Sequence, residues 1–403
     1  MIVLFRSLRV PNYRIWAAGA LISNIGTWMQ RAAQDWLVLT QLTQHNARAV
    51  GIVMGLQFGP QILLLPWTGT AADYFDQRRL LMVTQVLMGG LALLLGVLTV
   101  SGEITLWQVY GLAFLFGCAA AFDAPARQTF VGELVDQPDL PNAVALNSTS
   151  FNAGRMIGPA VAGLVIASVG TGWAFLLNGL SFFAVVASLC RMRVDQLYPK
   201  ARVRQTKGGF TQGLRYVWSR ADLRAMLIML FLIGTFGLNF PIFISTMAVR
   251  VFHTDAKGFG LLSSFMAAGT ISGSLLAASR SNPGFSTLLS GAAVFGLGCA
   301  LAALAPGYDS FAAALVIIGI AALTFATATN SAMQLSCDPV MRGRVMAIRI
   351  AIALGGTPIG APFVGWVADS FGPRWSLVVG ASSGFAAAAV ALLFMARRPR
   401  SAI

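Results

Sequence analysis

An internal repeat constrains this chain more than any other feature of its sequence. Residues 157–187 align with residues 359–389 at an offset of 202, and 11 of the 31 aligned pairs are identical. The identical pairs that are expected to set turns, helix packing and membrane anchoring are Gly158/Gly360, Gly163/Gly365, Gly170/Gly372 and Trp173/Trp375. The second half of the chain is therefore expected to fold as a copy of the first.

The composition is that of a membrane protein. Of the 403 residues, 57% are hydrophobic and 10% are charged, and the mean hydropathy is +0.73, which gives more apolar surface than a soluble core can bury. The apolar runs predict twelve membrane-spanning helices, at 13–41, 49–72, 80–100, 104–126, 142–169, 173–192, 223–249, 258–279, 286–305, 311–334, 344–369 and 374–396. We predict an all-α membrane protein of two pseudo-symmetric six-helix bundles, because these runs are too long for the strands of a barrel.

The positive charges indicate how the chain is oriented. The net charge is +14, and with the N-terminus inside the cell 21 of the 28 Lys and Arg residues fall on the cytoplasmic side. The four on the external side are Arg48, Arg250, Lys257 and Arg374. This bias predicts a multi-pass protein of the cell (inner or plasma) membrane with both termini in the cytoplasm, and it explains the basic charge without a nucleic-acid partner.

One long polar interval divides the chain. We predict an N-terminal six-helix bundle at 1–192, a cytoplasmic linker at 193–222 and a C-terminal six-helix bundle at 223–403. Apolar residues of the linker with helical spacing predict an amphipathic segment at the anionic membrane surface; they are Phe210, Leu214, Val217 and Trp218. The alternative is a basic linker that only obeys the positive-inside rule.

The residues that the sequence lacks exclude several chemistries. No glycine-rich phosphate loop ending in Lys-Ser or Lys-Thr occurs, so uphill transport has to draw on an ion gradient. The only histidines, His45 and His253, fall in predicted external loops without a ligand cluster, which argues against a metal site. The four cysteines have no paired spacing and are expected to be packing residues. With no nucleophile beside a base, we expect neither an enzyme nor a cofactor.

The segment 69–81 joins the second and third predicted spans on the cytoplasmic side. Its sequence, Gly-Thr-Ala-Ala-Asp-Tyr-Phe-Asp-Gln-Arg-Arg-Leu-Leu, resembles the loop signature of the major facilitator superfamily, as do the chain length and the duplication. The resemblance implies that Gly69 allows close helix approach and that Asp73, with the basic residues Arg78 and Arg79, forms a charge latch that stabilises one access state.

Two positions of this segment depart from the signature. Asp76 replaces its second glycine, and Gln77 replaces the first base of its final cluster. The partner of Asp73 is therefore open between Arg78 and Arg79. The alternative to a latch is an ordinary solvated turn with mixed charge.

A second segment, in the fifth predicted span, resembles the antiporter motif of the same superfamily. Its residues are Gly154, Arg155, Gly158, Pro159 and Gly163. Small residues let helices approach closely, and a proline bends a span where a hinge would be useful. The resemblance implies export rather than import, and the alternative is packing alone.

Three shorter strings give a finer resemblance. They are Asn-Ile-Gly-Thr-Trp-Met-Gln at 24–30, Phe-Asp-Ala-Pro-Ala-Arg-Gln at 122–128 and Arg-Gly-Arg-Val-Met at 342–346. Together they resemble the drug and siderophore efflux branch of the superfamily, of the transmembrane secretion effector type, which includes the enterobactin exporter. They say little about the substrate.

The first span carries an unusual polar face. Asn24, Trp28, Arg31 and Asp35 recur at intervals of four, three and four residues, and Thr27, Gln30 and Gln34 lie beside them. Such a face cannot point at lipid, because a charge in mid-span costs about 2.5–3.5 kcal/mol. In the superfamily the first, fourth, seventh and tenth spans line a central cavity, so the resemblance places this face there.

Arg31 and Asp35 are one helical turn apart and are expected to pair. Protonation of Asp35 would then release Arg31, which makes Asp35 the candidate for proton coupling. Two alternatives remain open: a static structural pair, and substrate binding without coupling.

Other charges also fall within spans. Asp123 and Arg127 are one turn apart and are expected to form a gate or interface pair, with Pro125 disrupting the helix between them. Arg155 needs a partner from another helix, for which Asp123 and Asp35 are both candidates. Arg349 poses the same question for the eleventh span.

The second half carries fewer charges in its spans. Its candidate cavity wall consists of aromatic, amide and hydroxyl side chains, namely Phe236, Asn239, Phe240, Thr327, Asn330 and Gln334. The alternative is ordinary hydrogen bonding between helices.

Together these features predict a secondary active transporter that works by alternating access. We expect a proton-coupled exporter, an antiporter, of an amphiphilic small molecule such as a drug or a siderophore, driven by the proton gradient. Its expected partners are that substrate and membrane lipids, and it is expected to be monomeric. The alternatives are a lipid or lysophospholipid flippase or an importer on the same fold, and a membrane sensor or assembly partner that does not transport.

Overall fold

The computed structural model describes residues 5–198, 209–278, 284–338 and 341–396, and within these ranges it contains helices and no strands. The α-helices in chain order are α1 Pro11–Leu37, α2 Ala47–Leu63, α3 Leu65–Tyr74, α4 Gln77–Val100, α5 Leu106–Leu134, α6 Leu140–Val169, α7 Thr171–Arg191, α8 Gly209–Ser219, α9 Ala221–Leu232, α10 Phe240–Arg250, α11 Ala256–Ala278, α12 Phe285–Leu304, α13 Tyr308–Ser336, α14 Arg342–Gly355, α15 Thr357–Phe371 and α16 Pro373–Ala396. The all-helical prediction is confirmed for the described residues.

Each of the twelve predicted spans falls on one or two of these helices, and three spans are split. The second breaks at Leu64 between α2 and α3, and the eleventh breaks at Gly356 between α14 and α15. The seventh consists of α9 and α10, joined by a π-helical turn at Ile233–Gly237. A second π-helical turn, Val38–Leu42, follows α1. In the described ranges, nine helical stretches are long and apolar enough to cross a membrane.

The expected break of the fourth span at Pro125 is wrong, because α5 continues through this residue to Leu134. Proline removes one backbone N–H donor, so a single helical hydrogen bond is lost at this point. The ion pair between Asp123 and Arg127, with oxygen and nitrogen 3.1 Å apart, bridges the same turn and helps to hold it together.

The helix ends follow from local sequence. Gly170 ends α6 with a φ of +93°, and Gly372 ends α15 with a φ of +105°, a conformation that favours glycine. These two positions are paired in the repeat, so their predicted role in turns is confirmed.

At the start of α4, the side chain of Asp76 accepts a hydrogen bond from the backbone N–H of Arg79 at 2.8 Å. The residue that departs from the loop signature is therefore a helix cap.

Contacts between Cα atoms divide the chain into two compact units. The first unit consists of Met1–Gln44, Leu56–Arg204 and Asp255–Leu261, and the second of His45–Gly55, Gln205–Thr254 and Leu262–Ile403. Two short segments thus differ from a simple division of the chain into halves. The helix α2 belongs to the second unit up to Gly55 and to the first unit from Leu56 onwards.

In the first unit, α1 packs against α6 and α7, and α4 packs against α5 and α7. Trp16 of α1 and Phe130 of α5 are fully buried and meet edge to face, with ring centroids 5.3 Å apart. In the second unit, α12 packs against α13 and α16. Long apolar helices of this kind bury one face on their neighbours and leave the other face exposed.

The repeat glycines lie where helix backbones touch. A Cβ at Gly158 of α6 would lie 2.5 Å from Cβ of Trp28 in α1, and a Cβ at Gly360 of α15 would collide with the carbonyl oxygen of Thr235 in the π turn before α10. Paired positions of the repeat therefore admit a neighbouring backbone in both units, which confirms the packing role predicted for this pair.

The next repeat pair makes a second set of backbone contacts. A Cβ at Gly163 would lie 2.5 Å from Cα of Gly260 in α11, and both residues belong to the first unit. A Cβ at Gly365 would lie 2.5 Å from the carbonyl oxygen of Ala47 in α2, and both belong to the second unit. Each joint brings the first residues of α11 or α2 onto the helix that carries the glycine.

Candidate transport site

A cluster of two arginines and three aromatic rings lies in the first unit. We call it the Trp28 cluster; it consists of Trp28 and Arg31 of α1, Phe58 of α2, and Phe151 and Arg155 of α6. The Arg31 Cζ atom lies 4.7 Å from the Trp28 ring centroid and 4.6 Å from that of Phe58. The Arg155 Cζ atom lies 5.7 Å from the Trp28 centroid, and Phe151 meets Trp28 edge to face at 5.8 Å.

The local sequence explains how this cluster forms. Trp28 and Arg31 are three residues apart, so their side chains share one face of α1. On α6, Gly154 backs onto the main chain of Asn24, where an added Cβ would lie 2.6 Å from the Asn24 carbonyl carbon. Because this contact draws α6 close to α1, Arg155 reaches the ring of Trp28.

The expected pair between Arg31 and Asp35 is not formed, which corrects the sequence prediction. No ion pair joins them in the described ranges, and both Arg31 Nε and Asp35 Oδ1 are buried without a hydrogen-bond partner. The physical reason is that the rings of Trp28 and Phe58 hold the guanidinium through cation–π contacts. Asp35 is 3% exposed, and its carboxylate accepts no hydrogen bond from the described residues.

Asp123 has the opposite environment. Its Oδ1 accepts hydrogen bonds from Thr84 at 2.9 Å and from Gln85 at 2.6 Å, and its Oδ2 accepts one from Arg127 at 3.1 Å. The side chain is 5% exposed. The predicted pairing of Asp123 with Arg127 is confirmed, whereas its role as a gate stays a prediction. Asp123, one of the two candidate partners of Arg155, is bound to these three other side chains. The contact that the structure describes for Arg155 is the ring of Trp28.

The amides on the polar face of α1 bond to other helices of the first unit. Gln30 Oε1 accepts a hydrogen bond from Asn178 at 2.6 Å, and Gln34 Oε1 accepts one from Gln57 at 3.0 Å. The Nδ2 atom of Asn24 donates to the Ser150 hydroxyl at 3.0 Å. These three α1 side chains are buried, at 7% exposure or less. They hold α1 against its neighbours, and their place in a cavity stays a prediction.

The structure describes only part of the predicted latch. Gly69 and Asp73 lie in α3, and their side chains are outside the described part of the chain. The guanidinium of Arg78 donates from Nε to the Leu189 carbonyl oxygen near the end of α7, at 2.9 Å. Arg79 is exposed. The partner of Asp73 therefore stays a prediction.

In the candidate cavity wall of the second unit, the two phenylalanines and Asn239 contact neighbouring residues. Asn239 donates to the Thr235 carbonyl oxygen at 2.8 Å, and the Phe236 ring meets Phe363 edge to face at 5.6 Å. Phe240 contacts two further rings, those of Phe243 and Phe295. Three polar side chains of this candidate wall form no side-chain hydrogen bond in the described ranges, namely Thr327, Asn330 and Gln334. The guanidinium of Arg349 reaches the Ala326 carbonyl oxygen at 3.4 Å.

The predicted linker contains the helix α8. Val217 is buried, whereas Trp218 is 66% exposed, and the Tyr216 hydroxyl donates to the Asp338 carboxylate at 2.9 Å. Arg220 binds the Asp222 carboxylate through two hydrogen bonds, at 3.0 and 2.8 Å, and these bonds raise the pKa of the Arg220 guanidinium. Residues 199–208 of the linker lie outside the described ranges.

The sequence prediction missed a charged group at the start of α2. The Asp369 carboxylate accepts hydrogen bonds from the backbone N–H groups of Ala47 at 2.8 Å and Arg48 at 2.7 Å. The Arg250 guanidinium donates to the same carboxylate at 3.0 Å. The repeat held a signal for this acid, because Asp369 stands opposite Ala167 at the offset of 202. All of these residues except Ala167 belong to the second unit.

The fold and these buried charges define a membrane transporter built from duplicated helical units. A family model described as transmembrane secretion effector matches residues 4–402, so the chain belongs to this family of the major facilitator superfamily. The structure resembles that of a bacterial homologue of the human lysosomal transporter Spinster in an inward-facing, unoccupied conformation, with a TM-score of 0.75 and 15% identity over 97% of this chain and 99% of that one. This likeness shows the fold.

Three relatives are named as transporters of drugs or siderophores. The chain is 27% identical to the multidrug efflux pump Tap of Mycolicibacterium fortuitum, over 88% of each protein. It is 29% identical to the staphyloferrin A transporter of Staphylococcus aureus, over 62% of this chain and 63% of that protein. It is 23% identical to the enterobactin exporter EntS of Shigella boydii, over 89% and 85% of the two chains. The expected membership of the superfamily is confirmed.

Proposed function

We propose that this protein is a proton-coupled exporter, an antiporter, of an amphiphilic small molecule such as a drug or a siderophore. It works as a monomer by alternating access, with twelve spans and both termini in the cytoplasm, in the cell (inner or plasma) membrane. The proton gradient supplies the energy, and no bound cofactor is needed.

The observation that carries the proposal is the contrast between Asp35 and Asp123. Both carboxylates are buried in the first unit, but Asp123 receives hydrogen bonds from three side chains and Asp35 receives none from the described residues. A buried charge is costly unless it is paired and hydrogen-bonded. Uptake of a proton by Asp35 removes that cost without breaking a bond. Asp35 is therefore the acid best suited to bind and release the coupled proton.

The direction of transport is supported by two further observations. The glycines of the antiporter-type motif, Gly154 and Gly158, hold α6 directly against the helix that carries Asp35. Two relatives that match most of the chain are named as a multidrug efflux pump and an enterobactin exporter. Both names describe movement out of the cell, and we carry that direction over to this chain as part of the proposal.

The test begins with a substrate search. Cells that express the protein are screened for efflux of toxic amphiphiles and siderophores, with and without a protonophore. A substrate found in this way is then followed in inverted and in right-side-out membrane vesicles under an imposed pH gradient. We expect accumulation in inverted vesicles that are acidic inside. Uptake by right-side-out vesicles would indicate an importer, and transfer of lipid alone would indicate a flippase.

Variants then test the coupling. Asp35→Asn should abolish accumulation driven by the pH gradient and should retain exchange of labelled for unlabelled substrate at equal pH. The matched control is Asp195→Asn, which removes an exposed acid from the linker and should behave as the wild type. Full gradient-driven transport by Asp35→Asn would refute the role of this residue.

A further inference from the structure

The Trp28 cluster gathers two arginines around one ring without a carboxylate bound to either. The Cζ atoms of Arg31 and Arg155 lie 4.7 and 5.7 Å from the Trp28 ring centroid, so the two atoms are at most the sum of these distances, 10.4 Å, apart. Neither guanidinium forms an ion pair or a hydrogen bond in the described ranges, and Arg31 Nε is buried. The cluster therefore presents donors that these residues do not satisfy.

A complete version of this arrangement occurs elsewhere in the same unit. The Cζ atom of Arg127 lies 5.4 Å from the ring centroid of Trp16, and the carboxylate of Asp123 binds the guanidinium at 3.1 Å. That arginine thus has both an aromatic ring and a carboxylate. In the Trp28 cluster the ring is present, and the position of the carboxylate is open.

The charges around the cluster do not balance. Arg31 and Arg155 carry two positive charges, and Asp35, one turn from Arg31 on α1, carries one negative charge at most. The other buried acid in the described part of the unit, Asp123, is already bound to Arg127. A charge inside a membrane is costly unless it faces water or a partner. An anion at the cluster would supply the missing negative charge.

The cluster lies on the polar side of α6, and Arg155 is halfway along that helix. Ser148, Asn152 and Arg155 are exposed and recur at intervals of four and three residues, so they form one polar stripe. Ile157 and Leu164 are also exposed, about half a turn around the helix from Arg155. Hydrocarbon favours the apolar side, and an aqueous space favours the stripe. A solute in that space can therefore reach the arginine.

We propose that the Trp28 cluster binds a carboxylate of the transported molecule, so that the substrates are amphiphilic carboxylic acids in their ionised form. This inference rests on the proposed function, whose substrate class it specifies. An inside-negative membrane potential favours the exit of an anion, so an acidic substrate also fits the direction of export.

The chemistry of the cluster fits both parts of such a molecule. A guanidinium has five N–H donors in one plane, in a fork that matches the two oxygens of a carboxylate. The Trp28 and Phe58 rings hold the Arg31 guanidinium without neutralising it, which leaves its charge for the ligand. The rings of Trp28, Phe58 and Phe151 offer apolar contact to the rest of the molecule.

The test compares three ligands that share one ring system. Binding of tritiated naphthylacetate to the purified protein in detergent is measured by scintillation proximity at neutral pH. Unlabelled naphthylacetate, naphthylacetamide and naphthylethylamine then compete for the site as acid, neutral amide and amine. The acid should bind at least about tenfold more tightly than the amide, as expected for charge-assisted hydrogen bonds, and the amine should bind more weakly still.

A fourth competitor separates two sources of the carboxylate. Laurate is an acid with an alkyl chain. Displacement of the label at lower concentrations of laurate than of naphthylacetate would indicate a fatty acid, and the reverse order would indicate an aromatic acid. Either order supports the inference.

Variants assign the preference to the arginines. Arg31→Gln and Arg155→Gln should each weaken naphthylacetate binding at least about tenfold, while Arg155→Lys keeps the charge without the fork and should lie between them and the wild type. The matched control is Arg14→Gln, which removes an exposed arginine from α1 and should bind as the wild type does. If the glutamine variants fail to fold, the ligand series on the wild type still decides.

The outcomes keep this inference apart from the proposed function. Equal binding of acid and amide, no binding of naphthylacetate, or unchanged affinity in both glutamine variants would overturn the inference. Efflux of uncharged amphiphiles driven by the pH gradient would leave the proposed function standing in that case. Conversely, Asp35→Asn should still bind naphthylacetate, so full gradient-driven transport by that variant would count against proton coupling through Asp35 and not against the carboxylate site.

Discussion

The Arg31 guanidinium lies on the face of the Trp28 ring, with its Cζ atom 4.7 Å from the centroid, and forms no ion pair with Asp35 in the described ranges. An aromatic face can hold a cation without neutralising it. In the described ranges no salt bridge therefore has to break when Asp35 gains or loses a proton. This separation of the two charges distinguishes the acid we assign to coupling from the one that stabilises the fold.

The first prediction compares the two buried acids by thermal unfolding. Asp123→Asn should destabilise the protein by about 3–5 kcal/mol, because Arg127 would be left buried without its partner. Asp35→Asn removes a buried charge that forms no salt bridge or hydrogen bond in the described ranges, so its melting temperature should equal or exceed that of the wild type. Equal destabilisation by both substitutions would show that Asp35 is a structural residue.

The second prediction concerns the ring that holds Arg31. Trp28→Ala should slow transport of a substrate identified in the efflux screen roughly 2- to 30-fold, because the contact with the guanidinium, worth about 0.5–2 kcal/mol, is lost. Trp28→Phe keeps a smaller aromatic face and should retain part of the activity. Trp107→Ala removes a tryptophan that is 79% exposed and serves as the control. Wild-type transport by Trp28→Ala would remove the Trp28 cluster from the transport site.

The third prediction tests the glycine contacts of the repeat. Gly158→Ala places a Cβ 2.5 Å from Cβ of Trp28 and should destabilise the protein by about 1–3 kcal/mol as α6 is pushed from α1. Gly90→Ala is the matched control, since nothing lies within 4 Å of its added Cβ in the middle of α4. That substitution should stabilise by up to about 1 kcal/mol through helix propensity. Thermal unfolding in detergent measures both, and a neutral Gly158→Ala would contradict the contact.

The fourth prediction addresses the linker helix α8. Tyr216→Phe removes the hydrogen bonds between the hydroxyl and Asp338, so α8 should detach more often, and trypsin should cleave at Arg215 roughly tenfold faster. Tyr198→Phe is the control, because the Tyr198 hydroxyl has no hydrogen bond in the described ranges. Cleavage at the same rate in both variants would show that α8 does not depend on Asp338.

Much of the fold follows from the sequence because membrane helices and their turns are local features. Apolar runs indicate helices directly, and the repeat identifies Gly170 and Gly372 as turn residues whose left-handed backbone the structure confirms. The breaks at Leu64 and Gly356 and the continuity of α5 at Pro125 were not predicted. These features depend on contacts with other helices, which composition and periodicity do not encode.

The candidate site was predictable in its residue types but not in its pairings. Polar periodicity identified Arg31 and Asp35, yet residues one turn apart on a helix can pair or turn to other partners. Phe58 carries no signal of its own, because one phenylalanine in an apolar helix resembles any other. Asp369 carried a signal only in comparison, as an acid opposite Ala167 in the repeat.

The π-helical turns after α1 and α9 each hold one residue more than the corresponding turn of an α-helix. A π turn closes a hydrogen bond five residues back instead of four, so its conversion to α geometry shifts the following chain by one position. Such a shift rotates the side chains beyond it by about 100° and moves them by about 1.5 Å. Asn239 and Phe240 follow the turn at Ile233–Gly237, one residue beyond it. A change of helical register alone can therefore reorient Asn239 and Phe240, two residues of the candidate cavity wall, without movement elsewhere in the chain.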